Sequence, residues 1–212
     1  MATILVFLSG FAIMVLEIIG ARFLAKDFGS AFYVWVSQIG VVLIALALGY
    51  WAGGALADRV RRMTLLAGLV VSAGVVTVLI PDFSAPLINA LIQRHPGDQP
   101  IPPLWQKLDP AFGSALVFLL PCAVLAMLPP CMIRMATRHV AHVGRVSGLI
   151  IAASTVGSIA GVFVAGYVLI DHFRMSAIFR GTGGLIVLLG LLVLVSGRKA
   201  AETRDPSERQ AT

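Results

Sequence analysis

The stretch GYWAGGALADRVRR, residues 49–62, decides the fold of this chain. Its first half is apolar and places small residues four apart, at Gly49, Gly53 and Ala57. In lipid, that spacing lets two helix backbones approach closely. The second half brings Asp58 and then a run of arginines, which mark the cytoplasmic side when they follow an apolar segment. The stretch therefore predicts a transmembrane helix that packs through small residues and ends in the cytoplasm.

The composition of the whole chain also predicts a membrane protein. Of the 212 residues, 58% are hydrophobic and 12% are charged, whereas soluble domains carry about 25% charged residues. The mean hydropathy is +0.94. The net charge of +6 comes from short basic clusters beside apolar runs, which is typical of membrane anchoring. We therefore expect an integral membrane protein that contacts the lipid bilayer and binds no nucleic acid.

Six apolar runs are long enough to cross about 30 Å of hydrocarbon. The predicted fold is all-α, a polytopic bundle of six transmembrane helices. The predicted spans cover residues 4–25, 32–57, 64–80, 112–134, 146–170 and 177–196. Residues 1–197 then form the transmembrane domain, and the charged residues 198–212 are expected to be a disordered cytoplasmic tail.

Residues 81–111 form the one long break in hydrophobicity and are expected to be an outer loop. The segment is rich in proline, which cannot donate the backbone hydrogen bond that continues a helix, so an uninterrupted helix through it is excluded. Within it, residues 85–93 could form a short amphipathic helix on the membrane surface. A plain connector and a lid over the outer mouth both fit this loop.

The fourth and fifth spans have distinct packing signals. Span four contains Pro121, Pro129 and Pro130, which predict a kink or a broken helix end. Span five has the densest small-residue face, including a GxxxG motif at Gly157 and Gly161. This face predicts a helix at the centre of the bundle, and it makes span five the expected neighbour of the small-residue face of span two.

Glu17 lies about two thirds of the way across span one. A charge at a helix centre costs about 2.5–3.5 kcal/mol on insertion scales, so such residues usually face the bundle interior and pair or serve a pathway. Arg22 is not an ideal partner within the helix, because five residues turn it about 140° around the axis. A function in a pathway and a structural pair with another span both remain open, and a partner on another span is expected.

Four further polar side chains lie within the spans: Gln38, Ser154, Thr155 and Ser158. Buried amides and hydroxyls in lipid need hydrogen-bond partners, which another helix supplies as readily as a ligand. The candidates for a ligand or a pathway are therefore Glu17, Arg22, Gln38, Ser154, Thr155 and Ser158.

The sequence contains little that would support catalysis or metal binding. His139 and His142 are spaced to share a metal, but no carboxylate or thiolate stands near them in sequence. The spans contain no serine–histidine pair, and Glu17 is the one acidic residue expected to be buried. We expect no catalytic residue, no cofactor, no metal site and no enzymatic activity of the chain on its own.

The basic residues also predict the orientation. Ten of them fall on the side of Arg59 and Arg134 and six on the opposite side, so the first side is cytoplasmic. With six spans, both termini lie in the cytoplasm, and the expected location is a bacterial-type inner membrane.

Residues 54–62, GALADRVRR, resemble the loop motif between the second and third helices of major facilitator transporters. The positions that match the motif are Gly54, Asp58, Arg59 and Arg62. The resemblance implies that the six spans correspond to one half of a major facilitator fold. It also implies a latch in the cytoplasmic loop, in which Asp58 pairs with a nearby arginine. The latch candidates are Asp58, Arg59, Arg62 and Arg134.

A second resemblance covers nearly the whole chain. Its four stretches are LEIIGARFLAKDFGSAFYVW (16–35), ALGYWAGGALADR (47–59), LPPCMIRMA (128–136) and VGRVSGLIIAASTVGSIAGVFVAGYVLI (143–170). They resemble the membrane half of spermidine synthase-like membrane proteins, in which a facilitator-like domain is fused to a soluble aminopropyltransferase. The soluble domain is absent from these 212 residues, so the resemblance implies a membrane module related to polyamine synthesis or movement, without catalysis.

Two functions are therefore expected. The first is a non-catalytic membrane anchor or subunit for a partner protein, such as a soluble aminopropyltransferase-like protein. The second is a small dimeric transporter or channel for polyamines or related cations, with Glu17 as the intramembrane counter-charge. Six helices equal half of a facilitator, so a homo-oligomer or a separate partner is expected in either case.

Overall fold

The computed structural model is a helical bundle, and it describes residues 1–29, 32–59, 63–95, 101–137 and 143–202. Six helical segments in it are long and apolar enough to cross a membrane. These segments, spans one to six, run over Ala2–Phe28, Phe32–Arg59, Met63–Ile92, Pro103–Ala136, Val143–His172 and Met175–Glu202. The prediction of an all-α, six-span membrane protein is confirmed.

Span four is a broken helix, as its prolines predict. It consists of an α-helix over Pro103–Ser114, a π-helical turn over Ala115–Leu119, and α-helices over Leu120–Ala126 and Leu128–Ala136. Each irregularity ends two residues before a proline: the π turn ends at Leu119 before Pro121, and the interruption at Met127 comes before Pro129. Proline has no N–H to donate to the carbonyl one turn earlier. The break therefore follows from local chemistry.

Span five also contains a π-helical turn. Its α-helix over Val143–Val164 continues as a π turn over Ala165–Leu169 and ends with Ile170–His172. No proline accompanies this irregularity, and no pattern in the sequence predicts it.

The predicted outer loop over residues 81–111 is wrong for most of its length. Span three continues as a helix through Pro81 and Pro86 to Ile92, and span four already begins at Pro103. A proline inside a membrane helix frees a single carbonyl, which neighbouring helices and local adjustments can satisfy. Residues 85–92 are therefore the end of span three and not a separate surface helix.

The predicted C-terminal boundary also differs. The last helix continues to Glu202, so the first residues of the expected disordered tail are helical. Residues 203–212 of that tail lie outside the described residues.

Three close helix contacts hold the bundle together: span one against span five, span two against span four, and span three against span six. In span five, Gly157 and Gly161 lie directly over the carbonyl oxygens of Phe7 and Phe11. A β-carbon at either glycine would overlap with this backbone. In lipid, such close packing is a principal source of helix association, because the hydrophobic effect does not act between helices there.

The contact between spans two and four has the same geometry. Gly49 and Gly53 of span two lie over the carbonyl oxygens of Ala123 and Met127 in span four. In both contacts the glycines are four residues apart, and so are the carbonyls that they cover. If span two is superposed on span five by these equivalent glycines, span four is therefore superposed on span one.

The contact between spans three and six is reciprocal. Gly74 lies against Val187 and the carbonyl of Gly183, while Gly183 lies against Val78 and the carbonyl of Gly74. One rotation thus exchanges all three contacts and carries spans one, two and three onto spans four, five and six. Because three is an odd number, the two groups cross the membrane in opposite directions, as in the inverted repeats of transporter folds.

Two predictions about span five are wrong. It is not central: 22% of its membrane segment is buried, against 61% in span one and 67% in span four. Its small-residue face also packs on span one, whereas the equivalent face of span two packs on span four. Small residues allow any helix to approach, so their pattern predicts a close contact without naming the partner.

Replacing Gly157 by alanine should weaken the bundle, because the new β-carbon would meet the carbonyl of Phe7 and force the helices apart. We expect the free energy of unfolding to fall by about 1–3 kcal/mol, the usual cost of overpacking. The measurement is the midpoint of unfolding in an SDS titration. Gly148→Ala is the matched control, since Gly148 lies on the same helix with open space beside it. Equal midpoints for the two variants would contradict the close contact.

Candidate functional site

A groove of about 290 Å³ lies between spans two, four and five. We call the half of the bundle that carries Asp58 the Asp58 side, and the half that carries Asp109 the Asp109 side. The groove lies on the Asp58 side. We name it the Tyr50 groove; its lining residues are Tyr50, Pro129, Pro130, Ile133, Ile151, Ser154 and Thr155. Its walls are mainly apolar with three hydroxyl groups, a combination that is typical of small-molecule sites.

Two of the predicted pathway residues, Ser154 and Thr155, line the Tyr50 groove. The hydroxyl of Thr155 donates a hydrogen bond to the carbonyl of Ile151 at 3.0 Å, so its oxygen can still accept one from a ligand. The third hydroxyl residue predicted on span five, Ser158, lies one turn further along the helix and packs against Gly10 of span one. Sequence reasoning missed Tyr50 and the two prolines, although Tyr50 belongs to the stretch that decides the fold.

Glu17 is half-buried in span one. The rotation that exchanges the two repeats relates Met14 to Pro130, because these residues flank equivalent glycines. Three residues further along, the same rotation relates Glu17 to Ile133. Ile133 lines the Tyr50 groove. In the other half of the membrane, Glu17 occupies the position that is equivalent to that of Ile133.

Among the cationic side chains that the structure describes, none forms an ion pair with Glu17. Arg22 is exposed on the same helix, about 7.5 Å further along the axis at 1.5 Å per residue. The expected partner of Glu17 on another span is therefore not found within the described residues.

Gln38 is completely buried and connects three spans. Ser114 of span four donates a hydrogen bond to its Oε1 at 2.6 Å, and its Nε2 donates to the carbonyl of Leu16 in span one at 3.5 Å. Gly20 of span one leaves the space that the amide occupies. The partner of the Gln38 amide could have been another helix or a ligand. Its geometry is that of a tie between helices, and Gln38 does not line the Tyr50 groove.

Replacing Gln38 by leucine should destabilise the bundle, because the buried hydroxyl of Ser114 would lose its partner. We expect a loss of about 1–3 kcal/mol in the free energy of unfolding. Adding Ser114→Ala should restore part of it, since both polar partners are then removed. Ser72→Ala, at an exposed serine that hydrogen-bonds its own helix, should change the free energy by less than about 0.5 kcal/mol. A Gln38 variant that unfolds at the same SDS fraction as the control would refute the tie.

Two of the predicted latch residues, Asp58 and Arg134, meet on the Asp58 side. Asp58 and Arg134 form an exposed ion pair, with 3.5 Å between Oδ1 and Nε. Exposed pairs contribute about 0–1 kcal/mol, so this one joins spans two and four only weakly. The side chain of Arg59 and all of Arg62 lie outside the described residues, and so do the histidines considered for a metal.

A charged cluster on the Asp109 side was not predicted from the sequence. Asp109 of span four is 4% exposed; it accepts a hydrogen bond from the guanidinium of Arg94, and its Oδ2 lies 2.8 Å from Nε2 of His95. The guanidinium of Arg94 also lies 4.2 Å from the ring centre of Trp105. The cluster fastens the end of span three to the beginning of span four. The sequence signal was a basic pair before the proline-rich connector and an acid after it.

Replacing Asp109 by asparagine should destabilise the protein more than the same change at Asp82. Asp109 is buried and contacts both Arg94 and His95, whereas Asp82 pairs with Arg180 in an exposed position. We expect a loss of about 1–3 kcal/mol for Asp109→Asn and less than about 1 kcal/mol for Asp82→Asn. Thermal unfolding followed by circular dichroism measures both. A larger loss at Asp82 would overturn this account of the cluster.

The two cysteines are buried and unbridged. The thiol of Cys131 donates a hydrogen bond to the carbonyl of Gly53 at 3.3 Å, which adds to the contact between spans two and four. Within the described ranges, no three metal-ligating side chains converge on one point.

The geometry defines a class of protein: a six-span, transporter-like membrane module built from two inverted groups of three helices. The family model of the Major Facilitator Superfamily matches residues 2–212. The chain therefore belongs to the Major Facilitator Superfamily, and the first resemblance is confirmed. No curated protein and no solved structure matches the chain. These comparisons give no support to the narrower resemblance to spermidine synthase-like membrane proteins.

Proposed function

We propose that the chain is a module of a secondary transporter for a cationic small molecule, with the carboxylate of Glu17 as the counter-charge within the membrane. The half-buried position of Glu17, without an ion pair to any described cation, is the observation that carries the proposal. An acidic residue at such a depth is costly and is usually functional. A cationic cargo would supply the missing opposite charge.

The inverted repeat supports a path along one face of the bundle. Glu17 and Ile133, which lines the Tyr50 groove, occupy equivalent positions in opposite halves of the membrane, so a ligand could pass from the groove in one half to the carboxylate in the other. Transporters of this type place their sites near the midplane at the repeat interface. The six helices would form one wall of the path, and a second six-helix unit, such as another copy of the chain, would form the opposite wall.

A polyamine is the first cargo to test. Its ammonium groups suit the carboxylate of Glu17, and its methylene segments suit the apolar walls of the Tyr50 groove. Hydroxyl groups on Ser154 and Thr155 would accept hydrogen bonds from a second ammonium group. The resemblance of four stretches to spermidine synthase-like membrane proteins also favours this class of ligand. With the Asp58 side in the cytoplasm of an inner membrane, as the arginine distribution suggests, the Tyr50 groove would open inward.

The experiment measures uptake of radiolabelled spermidine by proteoliposomes that contain the purified full chain. Glu17→Gln should lower uptake at least about tenfold, because a hydrogen bond to a charged group contributes about 1.5–3 kcal/mol. Asp27→Asn is the matched control, since Asp27 is an exposed acid at the end of the same helix. It should leave uptake unchanged.

Equal uptake by the wild type and Glu17→Gln would contradict the role of Glu17. The alternative function is a membrane anchor or subunit for a partner protein, which the exposed charges of Asp58 and Arg134 could contact. That alternative would be favoured if the wild type moved no polyamine under any gradient and a defined partner copurified after mild solubilisation from native membranes.

A further inference from the structure

A second groove, of about 280 Å³, opens on the surface of the bundle on the Asp109 side, between spans one, five and six. We name it the Phe173 groove; its walls include Phe11, Leu169, Phe173, Ala177, Gly181 and Thr182. Apart from the hydroxyl of Thr182, these side chains are apolar. The groove is separate from the Tyr50 groove and from Glu17, and its role does not depend on the proposed transport function.

The groove has a local structural cause. Its span-five wall includes the end of the π-helical turn Ala165–Leu169, and π turns are frequent at functional sites. Span two, the counterpart of span five in the inverted repeat, is an uninterrupted α-helix over Phe32–Arg59. The π turn is therefore not a consequence of the repeat. On span six, Gly181 has open space where a side chain would stand.

Two basic residues adjoin the groove in the chain. Phe173 lies between His172 and Arg174 in the short link between spans five and six. Arg174 is exposed and forms no ion pair with an acid in the described part of the chain, including the neighbouring Asp171. The Nδ1–H of His172 donates to the carbonyl of Val168 at 2.9 Å, so Nε2 is left for an external partner.

We propose that the Phe173 groove binds one phospholipid, with an acyl chain along the groove and the phosphate hydrogen-bonded to Arg174 beside His172. The groove extends along span six from Ala177 to Leu185, about 12 Å at 1.5 Å per residue, which leads from the helix end into the hydrocarbon region. A guanidinium matches a phosphate through two parallel hydrogen bonds.

A volume of about 280 Å³ over about 12 Å of span six describes a narrow groove. A single acyl chain is thin enough, and the apolar walls offer nothing to a polar solute. Arg174, next to the groove-lining Phe173, adds the charge that a phosphodiester needs.

The test is native mass spectrometry of the full chain in detergent, titrated with dioleoyl phosphatidylglycerol. Gly181→Leu fills the groove and should weaken lipid binding at least about fivefold, equivalent to about 1 kcal/mol. Gly184→Leu is the matched control, because Gly184 lies on the same helix with open space beside it but outside the groove. It should bind the lipid like the wild type. Ala177→Leu fills the groove from a second position and decides the question if Gly181→Leu does not fold.

A second arm tests the phosphate. Arg174→Gln should weaken binding of phosphatidylglycerol at least about fivefold and leave binding of dioleoylglycerol, which has the same chains without the phosphate, unchanged. If both filling variants bind phosphatidylglycerol as Gly184→Leu does, the groove is not the lipid site. If Arg174→Gln binds it like the wild type, the assignment of the phosphate to Arg174 is wrong.

Discussion

Direct contact between glycine and a carbonyl oxygen of the next helix is the interaction on which this bundle depends. It occurs where Gly157 covers Phe7 and where Gly49 covers Ala123. Because lipid is as apolar as the side chains, helices gain little from leaving it, and association relies on close packing and hydrogen bonds. Glycine removes the side chain that would hold two backbones apart. The three tight helix pairs then fix the positions of all other groups in the described bundle.

The same contacts determine where the polar groups lie. Span one is held on one side by the glycines of span five and on another by the tie from Gln38, which also holds Ser114. Glu17 is therefore carried by a helix that cannot easily rotate to bring the carboxylate to the lipid or the water. A fixed carboxylate is what a counter-charge requires, since a mobile side chain would reach a solvated position at lower cost.

The sequence allowed the six spans, the broken span four and the unusual depth of Glu17 to be predicted, because each depends on local composition or on proline chemistry. The helix pairs could not be predicted in this way. The small-residue faces of spans two and five look alike, and the repeat gives each of them a different partner. The cluster around Asp109 was also out of reach, since its members come together only when span three continues past Pro86.

The described polar ties are distributed unequally between the two sides of the membrane. On the Asp109 side, a buried acid joins spans three and four, and Gln38 joins spans one, two and four. On the Asp58 side, the ion pair described between helices is that of Asp58 and Arg134, and it is exposed. Exposed pairs separate at a cost of about 0–1 kcal/mol, whereas a buried, hydrogen-bonded charge resists separation much more strongly. The Tyr50 groove lies on the Asp58 side, next to this exposed pair, because Ile133 lines the groove and precedes Arg134. A ligand in the groove would therefore bind beside a charged link that separates at little cost, whereas Glu17 is carried by a span that the buried Gln38 ties to its neighbours.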